Sequence, residues 1–118
     1  MDIKVIKDNP IKVKTPVLMV SMFEKENLLD GINKDIDQGL DGAISQLIDE
    51  GEVKGAKGEL TLIHTFGRIG PSRVLIIGLG KEGNLDTNTI REAVGNACRF
   101  LRSKRITSIS TVAHGLGS

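Results

Sequence analysis

Apolar and polar positions recur along the chain with two different periods, and their order predicts a mixed α/β domain. Ile3 to Ile6 is a short β-rich start, closed by the turn-forming Asp8-Asn9-Pro10. After Pro16, the run Val17 to Phe23 is almost unbroken apolar sequence of strand length, which suits a strand covered on both faces. From Ile32 to Glu50 the period changes. Ile36, Leu40, Ala43, Ile44, Leu47 and Ile48 recur at three- and four-residue steps, the stripe of an amphipathic helix. Gly39 and Gly42 each cost about 1 kcal/mol relative to Ala inside a helix, which places a break or bend near them. Gly51 suits the helix C-terminus, and Glu52 to Glu59 is a polar loop.

A hairpin follows. Leu60 to Phe66 has strand character, Gly67 to Ser72 turns, and Arg73 to Leu79 returns. The connection is too short for a crossover helix, so these two strands are expected to be antiparallel. Asp86 or Thr87 then caps a second helix with Ile90, Ala93, Val94, Ala97 and Leu101 as its buried stripe. Ile106 to Ala113 is the final strand, before His114-Gly115-Leu116-Gly117-Ser118. The order β-β-α-β-β-α-β predicts a mixed sheet flanked by helices.

Composition narrows the functional classes. A chain of 118 residues, 39% hydrophobic and 26% charged, suits one domain with a single core and excludes disordered and fibrous classes. With 3% aromatic residues and neither Trp nor Tyr, the stacking platforms of single-strand nucleic acid readers are nearly absent. The net charge of +1 argues against a general polyanion binder. A lone cysteine, Cys98, allows no internal disulfide and no thiolate zinc cluster, and no secretory signal opens the chain. A reducing, cytoplasmic setting is expected. The apolar runs are strand-sized, far short of the ~20 residues a membrane helix needs.

The most conspicuous motif is Val74-Leu75-Ile76-Ile77-Gly78-Leu79-Gly80-Lys81-Glu82-Gly83, an apolar strand running into Gly-x-Gly-x-x-Gly. In a dinucleotide site the helix opens inside such a motif and brings its N-terminal amides to the pyrophosphate. Here the best cap, Asp86, comes three residues after Gly83. The ribose-binding acid expected about 20 residues later is also missing, since no Asp or Glu follows Glu92. A hairpin context replaces the usual first βαβ unit. The glycines are better explained by a tight strand exit and close packing of the next helix.

Other chemistry-bearing residues carry little. His64 lies within a strand and reads as a core or sheet-face histidine with a backbone partner; His114 sits in a glycine-rich exit. Cys98 reads as a small buried hydrophobe, and Ser72 and Ser103 have no triad context. Asp35, Asp37, Asp41, Asp49 and Glu50 fall on the polar side of the first helix, a solvated face. Arg91, Arg99 and Arg102 share one face of the second helix, with Lys104 and Arg105 following. Cations there complement a helix C-terminus, with an anionic partner such as DNA as the alternative. No catalytic, cofactor-binding or metal-ligating residue is assigned.

The order Gly55-Ala56-Lys57-Gly58-Glu59, the strand with Thr65, Arg73 to Lys81, and Asn88-Thr89-Ile90-Arg91-Glu92-Ala93-Val94-Gly95-Asn96-Ala97 resembles the N-terminal domain of leucyl (cytosol) aminopeptidases. The helix with Leu40-Asp41-Gly42-Ala43-Ile44 fits the same resemblance. It implies a three-layer, macro-domain-like α/β fold joined to a C-terminal catalytic domain. The enzymes it resembles are hexameric metalloaminopeptidases that use two divalent ions, zinc or manganese, to remove N-terminal residues from peptides. Their catalytic and metal-binding residues belong to the C-terminal domain, whose Asn-Thr-Asp-Ala-Glu-Gly-Arg run is absent here. This chain alone is therefore expected to be inactive, a piece of a larger enzyme contributing to assembly and active-site access. Two alternatives accompany that expectation: a stand-alone macro-type module wrapping ADP-ribose or a related nucleotide with Gly78, Gly80 and Gly83, and DNA contact through the arginine face.

Overall fold

In a computed structural model, residues 1–24 and 29–112 are described. Among them, five strands form one sheet: β1 (Asp2–Ile6), β2 (Leu18–Phe23), β3 (Leu60–His64), β4 (Arg73–Gly80) and β5 (Ser108–Val112). Three helices accompany it: α1 (Gly31–Gly39), α2 (Ala43–Asp49) and α3 (Thr87–Ser103). The strand order is β1-β5-β2-β4-β3. β1, β5, β2 and β4 run parallel, while β3 pairs antiparallel with β4 through the expected hairpin. The final strand starts at Ser108, two residues later than the apolar pattern suggested, and Ala113 and His114 lie outside the described residues.

Strand periodicity sorts the core into two layers. Leu18, Val20 and Met22 of β2, with Val74 and Ile76 of β4, pack against Ile36, Leu40 and Ile44 of α1 and α2. Val17 and Met19, with Leu75, Ile77 and Leu79, pack against Ala93, Ala97 and Leu101 of α3. Side chains alternate across a strand, so one apolar run supplies both layers. The result is the mixed sheet flanked by helices expected from the order of elements, in the three-layer form that the resemblance implied.

The long amphipathic stripe is broken into α1 and α2 where the glycines stand. A Cβ at Gly39 would lie 2.6 Å from Ile69 Cγ2, and Gly42 takes a left-handed φ of 82° just before α2. Asp37 corrects the expectation of a wholly solvated acidic face. It is buried, accepting hydrogen bonds from Ser45 N at 2.9 Å and Ser45 Oγ at 2.6 Å. Its carboxylate ties α1 to the first turn of α2, satisfying a donor that the helix start leaves open. The helical wheel missed this because the chain bends between the two residues.

Asp86 caps α3, its Oδ1 accepting the Thr89 N–H at 2.7 Å and the Thr89 hydroxyl at 3.0 Å. The Thr89 backbone bond, followed by the Thr89 hydroxyl, holds this carboxyl below its ordinary value of 3.8. A depressed folded-state pKa favours folding above the unfolded value, and that contribution is lost as pH falls through the folded value. Asp86→Ala is accordingly expected to lower the melting temperature at neutral pH. The gap from wild type should shrink as the pH drops below the carboxylate range. Melting curves of both proteins at neutral pH and in strong acid check this, and a constant gap would remove the carboxylate from the role.

Candidate functional site

The glycine motif lies at the carboxyl ends of β2 and β4, where open α/β sheets commonly hold ligands. The loop preceding β3 decides what the motif can do. Glu59 Oε1 accepts the N–H groups of Lys54 at 2.9 Å and Gly55 at 3.0 Å, closing residues 54–59 into a tight turn. Gly55 and Gly58 take left-handed φ values of 76° and 86° within it. This turn sits directly on the glycine strand. The Gly78 N–H donates to the Glu59 carbonyl at 2.8 Å, and the Gly80 N–H to the Gly55 carbonyl at 2.9 Å. On the β2 side, the Glu24 N–H donates to the Gly80 carbonyl at 2.9 Å.

Space is spent as fully as hydrogen bonds. A Cβ at Gly78 would run into the Ala56 carbonyl, and one at Gly80 would lie 3.2 Å from Lys57 Cβ. The amides a phosphate would need are already donating to carbonyls of the same chain. Gly83 differs, being exposed with nothing within 4 Å of a Cβ placed there. The expectation that the glycines admit the next helix is thus corrected in its partner. They admit the 54–59 loop, and α3 begins only at Thr87. The wrapping of a phosphate by Gly78 and Gly80 likewise loses its donors. Residues 52–59 were expected as a polar loop, but nothing local to Gly55 and Gly58 tells that the loop closes onto β4.

The remaining candidates do not converge. His64 is exposed at the end of β3, its ring 5.9 Å from that of Phe66, so of the core and sheet-face alternatives the core one is corrected, and the ring meets Phe66 where a backbone partner was expected. Cys98 is a free, half-buried thiol packed against the α3 layer. Ser103 Oγ donates to the Phe100 carbonyl at 2.6 Å, and the Ser72 carbonyl accepts from Thr65 N at 3.1 Å. Asp41 is exposed and pairs with Arg68 at 2.9 Å. Asp35, Asp49 and Glu50 stand on the solvated face as expected.

Arg91, Arg99 and Arg102 are all exposed on α3. Arg99 donates to Asn96 Oδ1, and Lys104 Nζ lies 5.1 Å from the Phe100 ring centre, so part of this cationic set serves the helix itself. Among the described residues, no three His, Cys, Asp or Glu side chains gather where they could hold a metal ion. The two divalent ions implied by the resemblance find no donor set in these residues, and no catalytic step is derived through them. Among the same residues, no helix is long and apolar enough to cross a membrane.

Residues 19–117 match the N-terminal domain of the cytosol aminopeptidase family. A probable cytosol aminopeptidase of a Geobacter species is 34% identical over 111 residues, covering 94% of this chain and 22% of that protein. One from Alkaliphilus metalliredigens is 30% identical over 116 residues, covering 98% and 23%. A third, from Cupriavidus pinatubonensis, is 37% identical over 98 residues, covering 83% and 19%. The chain thus spans about a fifth of the length of these relatives. In structure it is similar to the macrodomain of Mycobacterium tuberculosis DarG, with a TM-score of 0.73 over 98% of this chain and 78% of that one. At 17% identity that likeness shows the fold, a macro-like α/β domain.

Proposed function

The chain belongs to the cytosol aminopeptidase family as its N-terminal domain, and from that premise we propose that it is a non-catalytic part of a metal-dependent, leucyl-type aminopeptidase. The parent protein removes N-terminal residues from peptides in the cytoplasm, and this domain contributes to assembly and to access to the active site. The observation that carries the reading is the match over residues 19–117, joined to the share of each relative that this chain covers. The closed glycine junction supports it, since the Gly78 and Gly80 amides are taken up by the 54–59 loop.

Hydrolysis of a leucine anilide tests the proposal. Full-length protein with zinc or manganese supplied should release the chromophore, while residues 1–118 alone should give only the buffer rate. Full-length protein that leaves the anilide intact under these conditions would overturn the peptidase reading. Activity in the 118-residue chain would overturn the non-catalytic one.

A further inference from the structure

The tip of the β3–β4 hairpin holds an aromatic ring where folding gives it no reason to be. The Arg68 N–H donates to the Thr65 carbonyl at 3.1 Å, closing a four-residue turn around Phe66 and Gly67. Both central residues have positive φ, 54° and 78°, as mirror-image hairpin turns require. Gly67 suits that left-handed region, whereas a bulky residue such as Phe66 is strained in it. Burial offers no compensation, because Phe66 is 87% exposed. Strain of this kind persists where the surroundings hold it, and it concentrates at functional sites. The surroundings here do hold it. The Thr65 hydroxyl donates to the Pro71 carbonyl, and the Gly70 N–H donates to the Ile11 carbonyl at 2.7 Å.

Beside the ring opens a cleft of about 400 Å³, a size common among small-molecule sites. Phe66, Ile69 and Pro71 give it apolar walls, and His64 and Arg73 line it with donors. His64 and Arg73 are register partners across the hairpin, so their side chains rise from the same face of the sheet. The His64 ring also stands 5.9 Å from the Phe66 ring. No carboxylate lines the cleft to offset Arg73. Arg68 on the same loop differs, being matched by Asp41 at 2.9 Å and lying outside the lining. A guanidinium presents a planar fork of donors that fits carboxylate or phosphate oxygens, and an imidazole adds a ring N–H. The open face of Phe66 supplies a surface on which a planar group can stack.

From this convergence we propose that the hairpin cleft binds a small anion in which a carboxylate or phosphate group is joined to a planar ring. The charged group lies on Arg73 and His64, and the ring stacks on Phe66. The strained turn is kept because it holds the aromatic side chain out for the ligand. This site is independent of the peptidase reading.

Titration calorimetry of the full-length protein with phenyl phosphate and with benzoate tests the assignment. At least one should bind with a dissociation constant of about 1 mM or lower, and the tighter of the two identifies the anionic group. Inorganic phosphate and benzyl alcohol each carry half of the ligand and should bind roughly tenfold more weakly or worse. Arg73→Gln and Phe66→Gly should each weaken the better probe roughly tenfold, while Arg68→Gln leaves it unchanged. Phe66→Gly should also keep or raise the melting temperature, since glycine is at ease in the left-handed region, so its loss of binding is not unfolding. Absence of heat with both probes at about 10 mM overturns the proposal. Binding that survives both substitutions, or that inorganic phosphate equals, places the anion elsewhere and overturns it too.

Discussion

Gly78→Ala is expected to leave little folded protein. The added methyl would run into the Ala56 carbonyl and come within 3.0 Å of Glu59 Cβ. Neither neighbour can yield cheaply. The Ala56 carbonyl accepts the Glu59 N–H at 3.0 Å, and the Glu59 carbonyl accepts the Gly78 N–H at 2.8 Å. β4 cannot retreat either, being paired with β2 on one side and β3 on the other. Overpacking against backbone in such a place costs about 3 kcal/mol or more, a large share of the 5–15 kcal/mol that holds a typical domain together. Gly83→Ala is the matched control from the same motif. It meets open space, and its effect should stay within about 0.5 kcal/mol. Urea denaturation of the two variants beside wild type checks both. Equal midpoints would dismiss the account of the motif as a junction between strand and loop.

Leu101→Ala should be the most damaging truncation in the α3 layer. Leu101 is wholly buried, packed in the cluster that includes Val17, Leu75 and Ile77, and its carbonyl accepts the N–H of Ile106 at 3.0 Å as the chain leaves α3. Removing a buried leucine side chain costs about 2–5 kcal/mol, the transfer term plus the cavity left behind. The denaturation midpoint should fall while the slope stays constant, because the surface exposed on unfolding barely changes. Arg102→Ala, one residue along on the exposed side, should move the midpoint little. A small effect at Leu101 would mean that α3 can settle into the cavity, contrary to its tethering at both ends.

Much of the scaffold was legible in advance for a local reason. Strand and helix periods are properties of neighbouring residues, so β2, the hairpin of β3 and β4, and the buried stripe of α3 all emerged from spacing alone. The break between α1 and α2 was legible because glycine weakens a helix wherever it stands. Asp37 was misplaced for the opposite reason. Its burial depends on where α2 swings after the bend, which no wheel drawn through a straight helix contains. His64 was expected to find a backbone partner, yet it ends β3 at the exposed turn and meets the Phe66 ring instead.

The glycine motif marks the boundary between the two kinds of knowledge. By itself the sequence determined that Gly78, Gly80 and Gly83 leave a strand, that the helix starts too late for a dinucleotide, and that the partner acid is missing. It also determined the family, because the order of short motifs survives even where each is weak. Only the tertiary structure decided what the glycines touch. Gly78 and Gly80 face a loop some twenty residues earlier in the chain, Gly83 faces solvent, and the same residue type does opposite jobs. The exposed strip on β1 is decided at the same level. Ile3 and Val5 are exposed there, and the pairing of Ile3 with Ile109 places them on the α3 side of the sheet. Local spacing governs which side chains turn inward; what waits for them depends on contacts between segments distant in sequence, and those exist only once the chain has folded.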